Sequence, residues 1–156
     1  MKRISVVLVT ILVVTLPLRA ATSDAQVQVE KTMNAFVAMD LDRFIGGLTD
    51  DVVAFEFDLE NKPVRLESQT EVARWAGMMF AELKRMNATM KLDVQKISCQ
   101  SGSAFAYCTV EFNFSMVMGD GSTMTQPTRN TVALRKSGGV WKWAHWHSSP
   151  SAAPAH

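Results

Sequence analysis

Two histidines near the C-terminal end of the chain, His145 and His147, are the residues whose type and spacing best suit chemistry. Residues two apart in a strand point to the same face, and Trp141 and Trp143 share that face. An imidazole in an apolar pocket can act as a general base or acid near neutral pH. The pattern predicts His147 as the base of a proton-transfer site with His145 beside it. The alternative is a structural pair bonded to the backbone or to Asn130.

Glu56 is the second candidate base, because it is an acid within an apolar strand predicted from Val52 to Phe57. Desolvation in a pocket would raise the pKa of its carboxyl and make it a usable base. Alternation puts Glu56 on one face with Val52 and Ala54, and Phe55 and Phe57 on the other. The larger side chains of Phe55 and Phe57 favour their face as the core, which would place Glu56 on the outer face. The alternative is that Glu56 points into the pocket.

A metal site is the other interpretation of the two histidines, since strand His-x-His pairs bind zinc when further ligands converge. Glu56 and Asp51 are the remaining candidate ligands, and no further spacing supports them. The sequence therefore predicts no metal. It also lacks a phosphate-cradling glycine loop, a serine nucleophile elbow and a cofactor fingerprint, so no cofactor is expected.

Local patterns predict the elements that must hold these residues. Capping signals at Ser23, Asp40 and Ser68 begin three helices, of which the first two cover residues 23–48. One strand precedes the third helix, and four long strands joined by tight turns follow it. Helices on one face of a curved antiparallel sheet predict an α+β fold with a cone-shaped sheet. The inside of such a cone is a natural pocket for a small molecule.

The turn at Gly138 and Gly139 sets the predicted register of the last hairpin. With two central residues, the turn makes these pairs: Trp143 with Leu134, His145 with Val132, and His147 with Asn130. Because this register brings apolar residues together, it predicts that the histidine face is the interior of the cone. Trp146 then lies on the outer face.

The N-terminal segment has the layout of a secretory signal peptide. Lys2 and Arg3 precede an apolar run over residues 4–18, and small residues follow it. We expect a signal peptide over residues 1–25, cleaved after Ala20 to Ala25, a domain over 26–149, and a disordered tail over 150–156. The protein is then exported, to the periplasm or the medium, with no membrane attachment after cleavage. The alternative is a retained anchor helix.

Composition limits the function classes. The 156 residues are 47% hydrophobic and 20% charged, which is typical of a globular domain and excludes a disordered chain. The formal net charge is only +1, so nothing favours a nucleic-acid partner. Cys99 and Cys108 flank a turn signal, and two strands meeting there can bring the thiols opposite each other. The two cysteines either form a disulfide or remain buried free thiols.

Four stretches together resemble the nuclear transport factor 2-like superfamily, and its SnoaL-like, ketosteroid isomerase-like branch in particular. They are residues 40–42 (DLD), 48–53 (LTDDVV), 129–131 (RNT) and 139–148 (GVWKWAHWHS). The resemblance implies a cystatin-like α+β barrel and a homodimer formed through the outer face of the sheet. The outward Trp146 gives that dimer weak support.

Within that resemblance, the ketosteroid isomerase pattern can be carried over residue by residue. Its general-base aspartate falls on Glu56, its tyrosine donor on Thr32, and its protonated aspartate donor on Thr131. Of these three positions, only that of Glu56 keeps an acidic side chain. Without a phenol or a neutral carboxylic acid, an enolate would lose its main electrostatic stabilisation, which disfavours steroid isomerisation.

Three functions remain. The first is an exported domain that binds a small apolar molecule, with these lining residues: Trp75, Met79, Phe112, Asn130 and Trp143. The second is a proton-transfer enzyme, an isomerase, dehydratase or cyclase without a redox cofactor, using His147 or Glu56. The third is an interaction module without catalysis, which a solid core would favour.

Overall fold

The computed structural model describes residues 23–58 and 60–151, so most of the predicted signal peptide and residues 152–156 of the predicted tail lie outside it. Three helices and six strands follow one another along the chain. They are α1 (Asp24–Val37), α2 (Leu41–Gly46), β1 (Leu48–Phe57), β2 (Pro63–Leu66), α3 (Gln69–Arg85), β3 (Thr89–Ser101), β4 (Phe105–Val117), β5 (Thr123–Ser137) and β6 (Val140–Pro150).

All three helices begin at the predicted caps. The side chains of Ser23, Asp40 and Ser68 each accept a hydrogen bond from the backbone N–H three residues on, at 3.1–3.2 Å. The second helix ends earlier than predicted, at Gly46, and Leu48 begins β1. Gly47 follows α2, where a Cβ would lie 2.5 Å from Thr32 Oγ1, so only glycine fits this close approach of α1 and α2.

The strands form one curved, unclosed sheet in the order β2-β1-β6-β5-β4-β3, with the helices packed on its inner face. The predicted α+β class is confirmed. Neighbouring strands are antiparallel except β1 and β6, which run parallel, so the sheet is mixed rather than wholly antiparallel. Strand β2 was not predicted, because four residues that begin with a proline carry little strand signal.

A β-bulge interrupts the last hairpin. Gly138 and Gly139 both have positive φ angles, +58° and +83°, and make the predicted two-residue turn. Trp143 opposes Leu134 as predicted. Ala144 is then an extra residue without a partner, which moves the rest of β6 by one position. The remaining pairs are His145 with Ala133 and His147 with Thr131, and the predicted pairs with Val132 and Asn130 are wrong.

Both ends of the described chain belong to the fold. Ala25 is buried in the core near the start of α1. Pro150 ends β6, and the N–H of Ser151 donates to Pro127 O at 2.8 Å, so the ordered domain extends past residue 149. In the described part of the chain, no helix combines the length and apolarity needed to cross a membrane.

Cys99 and Cys108 stand directly opposite each other on β3 and β4. Their sulfur atoms are joined in a disulfide, and the Cys108 side chain is fully buried. The cross-link ties the edge strand β3 to the sheet.

Candidate functional site

A cavity of about 440 Å³ lies between the helices and the inner face of the sheet. Aromatic side chains make much of its wall: Phe36, Phe44, Phe57, Trp75, Phe112, Phe114, Trp143 and Trp146. Five methionines add flexible apolar surface: Met33, Met79, Met90, Met116 and Met124. The volume is within the range of small-molecule sites.

Glu56 is a partly buried carboxylate on the wall of this cavity. It shares the inner face of β1 with Val52 and Ala54, which are both fully buried. Trp146 Nε1 donates to Glu56 Oε1 at 2.6 Å, and the Ser148 hydroxyl donates to the same oxygen. Burial raises the pKa of Glu56, and the hydrogen bonds from Ser148 and Trp146 oppose that rise. The group is therefore desolvated and held in place, as a general base or acid requires.

The size of the phenylalanine side chains favoured the Phe55 face of β1 as the core face, and this expectation is wrong. Phe55 points outward, with the Arg65 guanidinium 5.6 Å from its ring centroid. The inner face of β1 contacts α3, and its residues Val52 and Ala54 are fully buried. Side-chain volume therefore does not identify the core face when the outer face has its own aromatic cluster.

The two histidines lie outside the cavity, which corrects the prediction that they face its interior. The bulge at Ala144 turns both imidazoles to the outer face, where their ring centroids lie 5.8 Å (His145) and 6.1 Å (His147) from that of Phe55. Desolvation lowers the pKa of His145, and the neighbouring His147 lowers it further. Neither imidazole reaches a molecule in the cavity.

The same bulge separates the ligands of the alternative metal site. Glu56 faces inward, whereas both histidines face outward. The remaining candidate, Asp51, accepts a hydrogen bond from Arg135 at 2.5 Å. Across residues 23–58 and 60–151, no three His, Cys, Asp or Glu side chains are grouped as metal ligands.

The five predicted lining residues, Trp75, Met79, Phe112, Asn130 and Trp143, all lie on the cavity wall. Trp75 is fixed by a hydrogen bond from its Nε1 to Phe57 O at 3.3 Å and by stacking on Phe36 at 5.8 Å. Ligand binding by the five stays a prediction.

Two polar atoms of wall residues have no hydrogen-bond partner within the described part of the chain: Asn130 Oδ1 and Trp143 Nε1. Asn130 is only 7% exposed and Trp143 only 3%. A buried polar group without a partner costs about 1–3 kcal/mol. A ligand that supplies a partner would recover part of that cost.

Of the three positions carried over from the ketosteroid isomerase pattern, one lies on the cavity wall and two do not. Glu56 lies in the cavity. Thr32 is buried between α1 and α2, where it accepts a hydrogen bond from Gln28 at 3.1 Å, and it is not part of the wall. Thr131 points to the outer face between Thr109 and His147. The cavity thus keeps the carboxylate and has neither donor.

Trp146 and Ser148 are the site residues that sequence reasoning missed. The predicted register put Trp146 on the outer face, and the bulge puts both side chains inside against Glu56. Their contact also depends on the parallel pairing of β1 and β6. Neither the bulge nor that pairing has a signal in the sequence.

Comparison with known proteins decides the family. The profile of the SnoaL-like domain family matches residues 28–154. This chain belongs to that family. A search of curated proteins finds no match.

Solved structures share the fold at low sequence identity. An NTF2-like protein of unknown function from Pseudomonas putida is 21% identical, with a TM-score of 0.70 over 86% of this chain and 89% of that one. An uncharacterised cystatin-like protein from Caulobacter vibrioides is 18% identical, with a TM-score of 0.66 over 84% and 90%. A ketosteroid isomerase-like protein from Erwinia carotovora atroseptica is 16% identical, with a TM-score of 0.63 over 86% and 99%. At these identities the similarity establishes the nuclear transport factor 2-like fold alone.

Proposed function

We propose that this SnoaL-like domain binds a small, mainly apolar molecule in its cavity, with a polar group of that molecule at Glu56. One observation carries the proposal: a cavity of about 440 Å³, walled by aromatic rings and methionines, contains a partly buried carboxylate. Apolar surface transferred from water to such a wall stabilises a complex by about 25 cal/mol per Å². The carboxylate orients the ligand, because neither the Trp146 nor the Ser148 hydrogen bond uses its Oε2, which can accept from a donor on the ligand.

Two aromatic probes of similar size test this binding. We expect 2-naphthylmethanol to bind the wild-type protein at least about 10-fold more tightly than naphthalene, measured by isothermal titration calorimetry. The reason is that a hydrogen bond to a charged group contributes about 1.5–3 kcal/mol. Glu56→Gln is expected to reduce the difference, since it weakens the acceptor while keeping the shape.

Glu111→Gln is the matched control. It removes the same charge from an exposed strand position that pairs with Arg129 and is not part of the cavity wall. Its affinities for both probes should equal those of the wild type. Failure of both probes to bind the folded wild-type protein at millimolar concentration would contradict the proposal.

Proton transfer with Glu56 as the base is the second candidate function. It is favoured by the desolvated carboxylate, whose pKa is raised by burial and whose Oε1 is held by Trp146 and Ser148. Neither of those two hydrogen bonds uses Oε2, and Asn130 is a polar residue of the wall that can orient a substrate. Likeness to a ketosteroid isomerase-like protein from Erwinia carotovora atroseptica agrees with this class of reaction. His147 is no longer a candidate base.

Exchange of an acidic C–H measures such a base without knowledge of the substrate. The protein is incubated with 2-tetralone in D₂O, and loss of the α-proton signal is followed by NMR. We expect acceleration by the wild type, loss of at least 100-fold in Glu56→Gln, and retention in His147→Ala. Equal rates for the wild type and Glu56→Gln would exclude this mechanism.

The cavity weighs against the third function, an interaction module with a solid core.

A homodimer through the outer face of the sheet is part of the proposal. Phe55 and Tyr107 are exposed on that face, and Ala133 lies next to Tyr107 on the neighbouring strand. We expect a dimer in sedimentation velocity runs and a monomer for Ala133→Arg. Met78→Arg, on the exposed side of α3, is the control that should stay dimeric. A wild-type monomer at tens of micromolar would contradict this.

Export to the periplasm or the medium remains a proposal, and the fold favours one side of the predicted cleavage window. Cleavage after Ala25 would remove the Ser23 cap and the buried Ala25, whereas cleavage after Ala20 keeps both. We therefore expect an intact-mass measurement of the exported protein to give a mature start before Ser23.

A further inference from the structure

The charges of the cavity wall have one sign. Among the described residues, the wall contains the carboxylates of Glu56 and Asp58 and no lysine, arginine or histidine. The chain as a whole is nearly neutral, with 16 basic and 15 acidic residues, so the bias belongs to the cavity and not to the composition. The Arg65 guanidinium and the rings of the two histidines pack around Phe55 on the outer face.

Aromatic rings surround the Glu56 end of the cavity. Trp146, whose Nε1 is bonded to the carboxylate, meets Trp143 at 5.7 Å and 65° and Phe44 at 6.2 Å and 72°. These contacts are edge-to-face, and all three rings belong to the cavity wall. The face of an aromatic ring is negative and attracts cations. The rings and the carboxylate therefore favour the same sign of charge.

Asn130 adds an acceptor at the same wall. Its Oδ1 is buried and has no hydrogen-bond partner within residues 23–58 and 60–151. The Asn130 side chain is more than nine-tenths buried, so bulk water does not replace that partner. An N–H donor on a ligand would satisfy it.

From this juxtaposition of a carboxylate, aromatic faces and an unpartnered amide oxygen, we propose that the cavity selects an organic cation, an ammonium group carried on a compact apolar body. The ammonium donates to Glu56 and Asn130, and the apolar body lies against Met79 and Phe112. Trp143 Nε1, the unpartnered donor of the wall, accommodates an acceptor on that body. This inference rests on the proposed binding function and specifies its ligand class. An anion is excluded, because it would be desolvated beside a carboxylate with no cation to pair with.

Three naphthalenes that differ in charge test the inference: 2-naphthylmethylammonium, 2-naphthylmethanol and 2-naphthoate. Calorimetry at pH 7.5 on the wild-type protein should show the ammonium binding at least 10-fold more tightly than the alcohol, with no detectable binding of the carboxylate. The affinity for the ammonium should also rise with pH as Glu56 ionises, and more steeply than the affinity for the alcohol. The ranking needs no variant, so it stands even if a substitution unfolds the protein.

The Glu56→Gln variant tests whether Glu56 is the cause of the preference for the ammonium over the alcohol. It should bring the ammonium to within about 3-fold of the alcohol, whereas Glu111→Gln should keep the full preference. If the alcohol binds the wild type as tightly as the ammonium, the cation inference is wrong and the binding function stands. If none of the three binds, both are wrong.

Discussion

The inner and outer faces of the β1–β6 pair each hold an ionisable group against an aromatic ring, yet the two groups differ in environment. Inside, Glu56 bonds to Trp146 in the cavity, and burial raises its pKa. Outside, His145 packs on Phe55, and desolvation lowers its pKa. The two pKa shifts have opposite directions and the same cause, because burial disfavours the charged form of either group. Enclosure in the cavity makes the carboxylate, and not the more familiar histidines, the candidate for chemistry.

A single residue decides which side chains of β6 face the cavity. Up to Trp143, β6 follows the register set by the Gly138–Gly139 turn, and Ala144 then adds one residue. A shift of one residue exchanges every later side chain between the faces of a strand. Trp146 and Ser148 therefore enter the cavity, and His145 and His147 leave it.

The largest expected effect is a difference in stability between substitutions of Trp146, on the inner face, and its neighbour His147, on the outer face. Trp146→Ala should lower the free energy of unfolding by about 3–5 kcal/mol, because it empties a large buried site and removes a donor to Glu56. His147→Ala should change it by less than about 0.5 kcal/mol, since the side chain is exposed. Urea unfolding measures both. Similar losses for the two variants would mean that the bulge is absent in solution.

The next effect is a pH dependence that belongs to the inner face. Because the pKa of Glu56 is raised in the fold, its contribution to stability is fully present below the unfolded value near 4.5 and is lost as pH rises through the folded pKa. The stability of wild type relative to Glu56→Gln should therefore fall across that interval. Urea unfolding at steps from pH 4 to 8 gives the difference. Parallel profiles would show that the carboxyl is solvated.

A smaller effect isolates one hydrogen bond to Glu56. Ser148→Ala removes a donor that opposes the effect of burial, so the pKa of Glu56 should rise further. The adjacent Ser149→Ala is the control, because its hydroxyl lies 3.5 Å from Arg129 O and does not contact Glu56. A ¹³C NMR titration of the glutamate carboxyls reads the change. An unchanged or lower pKa in Ser148→Ala would argue against this contact.

The smallest effect is on the outer face. His147→Ala removes the neighbouring charge that lowers the pKa of His145, so the pKa of His145 should rise slightly and stay below its ordinary value because desolvation remains. An NMR titration of the imidazole protons follows it. A fall in that pKa would mean that His147 stabilises the His145 imidazolium.

The elements predicted correctly are those with local signals. Three capping side chains begin the helices, and two glycines make the last hairpin turn. The five predicted lining residues all reach the cavity wall, because they lie on the α3 helix or on strands before the bulge, where periodicity holds. The interior assignment of His145 and His147 is wrong because it extends that periodicity across Ala144.

The amino-acid sequence by itself determined the helix starts, the hairpin turn and the α+β class, since caps, turn glycines and hydrophobic periods act over a few residues. Tertiary structure decided which groups share the cavity. The parallel pairing of β1 with β6 joins Glu56 to Trp146 and Ser148 across some ninety residues of chain, and the bulge turns those two inward. Such contacts depend on how the sheet curves and packs against the helices, which no short stretch of sequence encodes.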